Sequence, residues 1–335
     1  MRALVIALAL LLTLGFLAGR GHAQSMPLPE VVHAESGTII VRAESGMGDL
    51  ARQIARRTPA VLGRIHADLE GLPTPAVVDI RLVKKASDMT AAAPPGRGAP
   101  PWASGVAFPD LGVVVVAARR GSQTIDVANV VDHELAHLAL GAALGDRAPR
   151  WLHEGFAYQH SAEWSLERTQ TLTGMVWFGN VIPLRDLEQG FPARENAADR
   201  AYAESYDFVD FLSARGRYPD PYDDGYRWPF RHFLAEISAG KTTREAALIA
   251  YGASLDELFE EWRIDLRDRY MMVPVGMFAM GLWVLASLIL IIGFIRRRRQ
   301  NRAILARWEV EEQAREDALP KALGAADVSI VTVPG

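Results

Sequence analysis

Two histidines and a glutamate that can bind and use one metal ion lie within a single five-residue segment. Residues 133–137 have the sequence His-Glu-Leu-Ala-His. In an α-helix His133 and His137 are one turn apart, about 40° apart around the axis, so both imidazoles can reach the same ion. Glu134 lies about 100° from His133, on the flank of the same face, where it is better placed to act on a water molecule than to be a third ligand.

The segment Trp151–Ala157 can supply the third ligand, because its sequence Trp-Leu-His-Glu-Gly-Phe-Ala follows a predicted helix stop and turn. A second helix there would return Glu154 to the two histidines. Two His and one Glu leave a fourth position open for water, which is the arrangement of catalytic zinc sites. The sequence therefore predicts that His133, His137 and Glu154 bind Zn²⁺ and that Glu134 is the general base acting on metal-activated water. For the five-residue segment alone, a surface helix with two unrelated histidines is the alternative.

Together the two segments resemble those of the gluzincin metallopeptidases. The pattern is similar to that of the thermolysin-like aminopeptidases, and more similar to that of the small peptidase MA-like domains. The resemblance extends over about residues 35–270, including Ala201–Val209 and Tyr251–Trp262 in the C-terminal half. It implies an α+β fold, in which a zincin-like domain has an N-terminal mixed sheet, an active-site helix and a helical C-terminal lobe. It also implies a zinc metallopeptidase, a hydrolase acting on a peptide or protein substrate.

Two departures from the aminopeptidase pattern leave the type of peptidase open. His153 stands where these enzymes usually carry Asn, and the chain has no Gly-x-Met-Glu-Asn segment, the family element that holds a substrate's free N-terminus. Aminopeptidase activity is therefore not supported. Endopeptidase and exopeptidase activities remain alternatives.

The resemblance implies that the hydroxyl of Tyr202 stabilises the oxyanion, with Tyr206 as the alternative donor. Either tyrosine can also be a core residue whose hydroxyl reaches water. Asp207 can orient a ligand histidine or lie on a solvated helix face, and His153 can contact substrate or only pack beside the metal site.

Two predicted strands before the histidine motif, Gly105–Phe108 and Leu111–Ala117, can form a sheet edge beside the active-site helix, which is predicted at Thr124–Gly141. An extended peptide can bind such an edge by adding a strand to the sheet. An ordinary core strand is an equal alternative, because Val113–Val116 is apolar throughout.

Apolar segments near both ends predict the topology. Residues 1–23 have a basic start, an apolar stretch and small residues before a plausible cleavage point, as in a secretory signal peptide; an uncleaved anchor is the alternative. Residues 273–295 carry no charge and are long enough to cross a bilayer core of about 30 Å. The four arginines that follow, residues 296–299, place the C-terminal side in the cytoplasm.

The predicted domain organisation follows from these segments. After the signal peptide come a linker (24–36), an extracytoplasmic zincin-like peptidase domain (37–270), one transmembrane helix (273–295) and a cytoplasmic tail (296–335). The chain would thus be a single-pass protein of the cell membrane.

Composition restricts the function further. The chain has 335 residues and a net charge of −4, which gives no indication of nucleic-acid binding. It has no cysteine, which excludes disulfides, a thiol nucleophile and Cys-ligated zinc. Nothing in the sequence indicates the oligomeric state.

The sequence thus predicts a membrane-anchored zinc metallopeptidase. Two alternatives come from other classes of protein. One is a protease-like module that binds a peptide or envelope protein without turnover, and the other is a scaffold whose tail recruits a cytoplasmic partner. The presence of Glu134 together with all three predicted ligands favours the enzyme.

Overall fold

The structure is a computed structural model that describes residues 26–34, 37–101, 103–161, 166–191, 195–215 and 229–325. The predicted signal peptide, residues 1–23, and the end of the predicted tail, residues 326–335, lie outside the described residues. The sequence also predicts a helix at Tyr226–Ser238, whose first residues lie outside them as well. The described residues divide into two compact units, one ending at Met271 and the other beginning at Met272.

A mixed sheet of five strands lies in the N-terminal half of the first unit. The strands are β1 (Glu30–His33), β2 (Ile39–Ala43), β3 (Val78–Val83), β4 (Gly105–Phe108) and β5 (Val113–Ala117). Their order is β1-β2-β3-β5-β4. The inner strands β2, β3 and β5 are parallel, whereas β1 and β4 are antiparallel edge strands. A short ribbon of β6 (Arg119–Arg120) and β7 (Gln123–Thr124) follows.

Helices make up most of the remaining structure. They are α1 (Gly48–Asp68), α2 (Met89–Ala92), α3 (Val127–Leu144), α4 (Arg150–Ser161), α5 (Leu166–Phe178), α6 (Leu184–Gln189), α7 (Glu195–Ala214), α8 (Pro229–Ser238), α9 (Thr243–Tyr251), α10 (Leu255–Met271) and α11 (Val273–Ala325). The prediction of a mixed sheet followed by a mostly helical half is confirmed. The sequence did not predict α5 or α6.

Strand β5 is buried at every position, as expected for a central strand with both faces covered. Because side chains alternate along a strand, Val114 and Val116 join the main hydrophobic cluster on one face, whereas Val113 and Val115 join a smaller cluster on the other. The core-strand interpretation is therefore right for β5, and the edge interpretation is right for β4.

Strand β1 corrects the interpretation of residues 24–36 as a linker. Val31 and Val32 belong to a four-residue strand that pairs antiparallel with β2. The side chain of Glu30 also accepts a hydrogen bond of 3.1 Å from the backbone N–H of Gly46. The strand is too short to give a period-two pattern in the sequence, and it forms because β2 offers a free edge.

The active-site helix α3 begins three residues later than predicted. The side chain of Asp126 accepts a hydrogen bond of 3.2 Å from the N–H of Asn129 and so caps the helix. Thr124 belongs to β7 instead. At the other end, Gly145 has a φ of 60° and ends the helix after Leu144.

One cluster of buried residues extends from the sheet into the C-terminal helices. It joins Val41 of β2 and Leu135 of α3 to Trp151 of α4, Phe208 of α7 and Trp262 of α10, none of which is accessible to solvent. The two predicted lobes therefore share a core.

In the part of the second unit that the structure describes, α11 follows Met272 and contains residues 273–295. Among the described residues, one candidate window is long and apolar enough to cross a membrane, and none of that window is buried. Trp283 and Leu290, for example, are 76% and 73% exposed.

Candidate metal centre

Helices α3 and α4 bring His133, His137 and Glu154 together; we call these three residues the ligand cluster. One ligand atom from each lies within 4.8 Å of the others. The two Nε2 atoms are 3.1 Å apart, and Glu154 Oε2 is 3.5 Å from His137 Nε2 and 3.8 Å from His133 Nε2. Bonds of about 2.0–2.1 Å in a tetrahedral zinc site place neighbouring ligand atoms roughly 3.3 Å apart. The donor types and their spacing therefore fit one zinc-sized ion.

Packing of α4 places Glu154. Trp151, Leu152 and Phe156 of this helix are fully buried, and the helix packs against both α3 and α7. The carbonyl of Pro149 accepts hydrogen bonds of 3.0 and 3.1 Å from the N–H groups of Leu152 and His153, which holds the start of the helix. The packing of α4 and the hydrogen bonds at its start thus place Glu154 beside the histidines.

Burial and mutual charge set the protonation of the ligand cluster. Burial, with the charge of His137, lowers the pKa of His133 to about 3. Burial alone would lower the pKa of His137, but a hydrogen bond to Glu154 and the charges of Glu134 and Glu154 outweigh it and raise that pKa. Burial acts to raise the pKa of Glu154, and the two histidines and Arg150 reverse this and lower it. Because a metal binds the deprotonated nitrogen of an imidazole, protonation of His137 would compete with metal binding.

Glu134 is buried where α3 lies against the edge strand β4. Burial raises its pKa to about 7, while the charge of His137 and a hydrogen bond from the Ala107 backbone act to lower it. A Cβ atom on Gly105 would stand 2.6 Å from both Glu134 Oε1 and Val130 Cγ1. Glycine at 105 therefore allows the β4 backbone to lie directly against Glu134. The predicted sheet edge beside the active-site helix is confirmed for β4.

Tyr202 extends from α7 to the surroundings of the ligand cluster. Its hydroxyl oxygen accepts a hydrogen bond of 3.2 Å from Arg150 Nη2, and Arg150 Nε lies 3.4 Å from Glu154 Oε1. The ring of Phe191 lies 5.0 Å from that of Tyr202 and 4.8 Å from the Arg150 guanidinium carbon. Burial, together with the charge of Glu154, raises the pKa of Tyr202, so its hydroxyl keeps its proton at neutral pH.

Residues 64–268 match the family model of the Peptidase MA superfamily. The chain belongs to the Peptidase MA superfamily. No curated protein matches the chain. The matched residues include the ligand cluster, Glu134 and Tyr202, and a Peptidase MA domain is typically metal-dependent and implies a peptide or protein substrate.

Within this Peptidase MA domain, Tyr206 has different neighbours from Tyr202. The guanidinium of Arg168 lies 3.9 Å above the Tyr206 ring. Burial and the charge of Asp210 raise the Tyr206 pKa, and Arg168 opposes them. The described contacts of Tyr206 thus involve Arg168 and Asp210, whereas those of Tyr202 involve Arg150, which also contacts the ligand cluster.

Both interpretations of Asp207 are wrong. The residue is only 3% exposed. Its carboxylate accepts a hydrogen bond of 2.8 Å from Trp262 Nε1 and one of 3.0 Å from Arg269 Nη1. Asp207 therefore attaches α7 to α10, and neither orients a ligand histidine nor lies on a solvated face. The sequence cannot show which side of α7 turns toward α10.

His153 lies beside the ligand cluster, with its ring 5.7 Å from that of His137. Burial lowers its pKa to about 4, with the charge of His137 acting in the same direction. The ring is thus neutral at physiological pH. The contact with His137 agrees with packing beside the ligand cluster, and the substrate contact stays a prediction.

Sequence reasoning missed three residues of α4 that surround the ligand cluster: Arg150, Tyr158 and Ser161. The ring of Tyr158 is 4.6 Å from that of His133, and Ser161 Oγ is 3.3 Å from His133 Nδ1. These residues lie four positions before, four after and seven after Glu154. Residues at this spacing lie on the same face of a helix as Glu154, so the sequence could have indicated that all three lie near the metal site.

Proposed function

We propose that the chain is a zinc metallopeptidase of the gluzincin type, in which His133, His137 and Glu154 hold the metal. The convergence of two imidazole Nε2 atoms and one carboxylate oxygen within 4.8 Å is the observation that carries this proposal. The Peptidase MA match over the same residues supports it. A zinc ion bound there would polarise a peptide carbonyl and lower the pKa of water toward neutrality.

Glu134 is the proposed general base. It takes a proton from the attacking water as the new C–O bond forms, and it returns that proton to the amine nitrogen as the C–N bond breaks. Its burial and its raised pKa, about 7, suit a group that must both accept and release a proton near neutral pH. Its closeness to His137, without a place among the three ligand atoms, agrees with a role beside the metal.

Tyr202 is the proposed donor to the developing oxyanion. An arginine side chain only donates hydrogen bonds, so the hydroxyl oxygen of Tyr202 accepts from Arg150 and its own proton stays available. The 3.4 Å contact between Arg150 and Glu154 keeps this hydroxyl near the ligand cluster. These contacts favour Tyr202 over Tyr206.

The edge strand β4 is the proposed binding surface for an extended peptide. Its outer edge has no strand neighbour among the described residues, so its backbone groups can pair with a substrate strand. Gly105 brings this backbone against Glu134, which would place a peptide bond of the bound strand near the proposed base.

Helix α11 is the proposed membrane anchor. The exposure of its apolar side chains supports this role, since a helix that is apolar all round requires an apolar environment. The four arginines at 296–299 favour a cytoplasmic C-terminal side, with the peptidase domain outside. Reporter fusions test the orientation: a fusion at Gly252 should behave as exported and one at Gly324 as cytoplasmic. The reverse pattern contradicts the topology.

Glu134→Gln in the full-length protein, purified in detergent, tests the enzymatic proposal. Glutamine keeps the shape of the side chain but cannot accept a proton at neutral pH. The variant should therefore fold and keep its zinc, while peptide turnover falls by about 10²–10⁴-fold. Zinc content, melting temperature and turnover are measured side by side with the wild type.

Glu236→Gln is the matched control. Glu236 also lies beside a histidine, at 3.2 Å from His232, but on α8; its replacement should leave turnover unchanged. Equal turnover of the wild type and Glu134→Gln would exclude Glu134 as the base. A wild type that cleaves no peptide, with a Glu134→Gln variant that fully complements a deletion strain, would favour the binding module.

A further inference from the structure

The last residue of α4 contacts the first candidate ligand. Ser161 Oγ lies 3.3 Å from His133 Nδ1 and 2.8 Å from the backbone carbonyl oxygen of Ala157. Neither contact was expected from the sequence. Together they favour one of the two neutral tautomers of the His133 imidazole.

The proton assignment follows from counting donors. A serine hydroxyl has one proton, and its contact with the Ala157 carbonyl oxygen is shorter than its contact with His133 Nδ1, 2.8 Å against 3.3 Å, so the geometry favours donation to Ala157. With the hydroxyl proton on Ala157, the serine oxygen accepts from His133, and Nδ1 carries the hydrogen. A neutral imidazole has one N–H, so Nε2 of His133 keeps its lone pair.

Nε2, the nitrogen with the lone pair, is the ring atom that faces the other two candidate ligand atoms. His133 Nε2 is the atom that lies 3.1 Å from His137 Nε2 and 3.8 Å from Glu154 Oε2. In the Nε2–H tautomer, the lone pairs of Nδ1 and of the serine oxygen would face each other, and no hydrogen bond would join them. Ser161 could relieve this only by giving up its bond to Ala157.

We propose that Ser161 is a positioning residue, which fixes His133 in the Nδ1–H tautomer and so presents Nε2 for metal binding. The inference rests on the proposed function only in taking His133 as a metal ligand. Groups that accept a hydrogen bond from the far nitrogen of a ligand histidine commonly have this role, and their loss typically lowers metal affinity by 10–100-fold.

The position of Ser161 also joins the two ligand helices. It lies on α4, the helix that carries Glu154, while His133 lies on α3. Tyr158, on the same side of α4, packs its ring edge-on against His133, with ring centres 4.6 Å apart. Helix α4, which supplies Glu154, therefore also fixes the orientation of the His133 ring.

The experiment compares the full-length wild type with Ser161→Ala and Ser161→Thr. The tautomer of His133 is read in the metal-free protein from the ¹⁵N shifts of its ring, and the zinc dissociation constant is measured by competition with a chelator. Wild type should show Nδ1–H. Ser161→Ala should lose this preference and bind zinc about 10–100-fold more weakly. Ser161→Thr keeps the hydroxyl and should restore both properties.

Ser205→Ala is the matched control. The hydroxyl of Ser205 donates to the carbonyl of Ala201, 2.6 Å away, in the same bond to a residue four positions earlier, but on α7. Its removal should change neither the tautomer nor the zinc affinity, which separates a general effect of losing a helix hydroxyl from the specific effect on His133.

The tautomer measurement needs neither zinc nor turnover, so its result is independent of the proposed function. A wild-type His133 in the Nε2–H form overturns the role of Ser161, even if Ser161→Ala fails to fold. Unchanged tautomer and zinc affinity in Ser161→Ala overturn it as well. A protein with the Nδ1–H form that binds zinc but hydrolyses no peptide contradicts the peptidase proposal and leaves the role of Ser161 standing.

Discussion

Arg150 Nη2 lies 3.2 Å from the hydroxyl oxygen of Tyr202, a contact that joins α4 to α7 across 52 residues of sequence. The same guanidinium contacts Glu154 through Nε at 3.4 Å and covers the ring of Phe191. Arg150 thus connects Glu154 of the ligand cluster with Tyr202, the proposed oxyanion donor.

Tyr202→Phe should lower kcat by about 10²-fold with little change in KM, because the lost hydroxyl acts in the transition state. If Arg150 acts by orienting that hydroxyl, Arg150→Gln should lower kcat in the wild type but cause little further loss in Tyr202→Phe. A double-mutant cycle on kcat is the measurement. Additive losses of kcat would show that Arg150 does not act through the Tyr202 hydroxyl. Tyr206→Phe is the control, and a loss from it alone would move the oxyanion role to Tyr206.

His137→Ala and Glu154→Ala should each lower the zinc content of the purified protein, which is expected to be about one ion per chain, because each removes one of three protein ligands. Metal analysis after dialysis is the measurement, and His232→Ala, a change outside the ligand cluster, should retain the wild-type content. Full zinc affinity and activity in Glu154→Ala would show that the third ligand is misassigned.

Gly155→Ala should destabilise the protein and lower kcat. The new Cβ would stand 2.2 Å from the carbonyl oxygen of Ser205 and 2.4 Å from Val209 Cγ2, so α7, which carries Tyr202, must move away from α4. Overpacking of this kind typically lowers the free energy of unfolding by about 1–3 kcal/mol. Gly174→Ala on α5 meets no atom within 4 Å and should be neutral or slightly stabilising. Equal denaturation midpoints for the two variants would contradict the close packing of α4 and α7.

Glu204→Gln should make stability less dependent on pH. Burial raises the pKa of Glu204 to about 8, and the charge of Asp207 acts in the same direction. A hydrogen bond from the Ile182 N–H and the charges of Arg263 and Arg200 act to lower this pKa. Between the ordinary value of 4.5 and about 8, the folded protein keeps a proton that the unfolded chain has lost. The contribution of Glu204 is therefore fully present below pH 4.5 and is lost as pH rises toward 8.

The slope from this one group is up to about 1.4 kcal/mol of unfolding free energy per pH unit. Glutamine keeps an oxygen for the Ile182 N–H, now 3.0 Å from Glu204 Oε2, but it does not titrate. Urea denaturation of both proteins between pH 5 and 8 should show the wild type losing stability relative to the variant. Parallel curves would mean that Glu204 is ionised in the folded protein.

The elements that a single segment specifies could be predicted from the sequence. His133 and His137 share a helix face because four residues make about one turn, and the sequence alone determines this. The apolar run of β5 and the apolar segment at 273–295 likewise depend only on neighbouring residues. The helix stop and turn after His137 also predicted the return of Glu154 to the histidines, and the family resemblance agreed with it.

Tertiary structure decided what depends on distant parts of the chain. Strand β1 exists because β2 offers an edge, and β4 is an edge strand because of the order of all five strands. The partners of Asp207 lie 55 and 62 residues away, and the contact of Arg150 with Tyr202 depends on how closely α4 and α7 pack at Gly155. Local sequence determines which residues face the same way, because helix and strand periodicity are local. Which surface they then meet is a property of the whole packed core, and only the folded chain settles it.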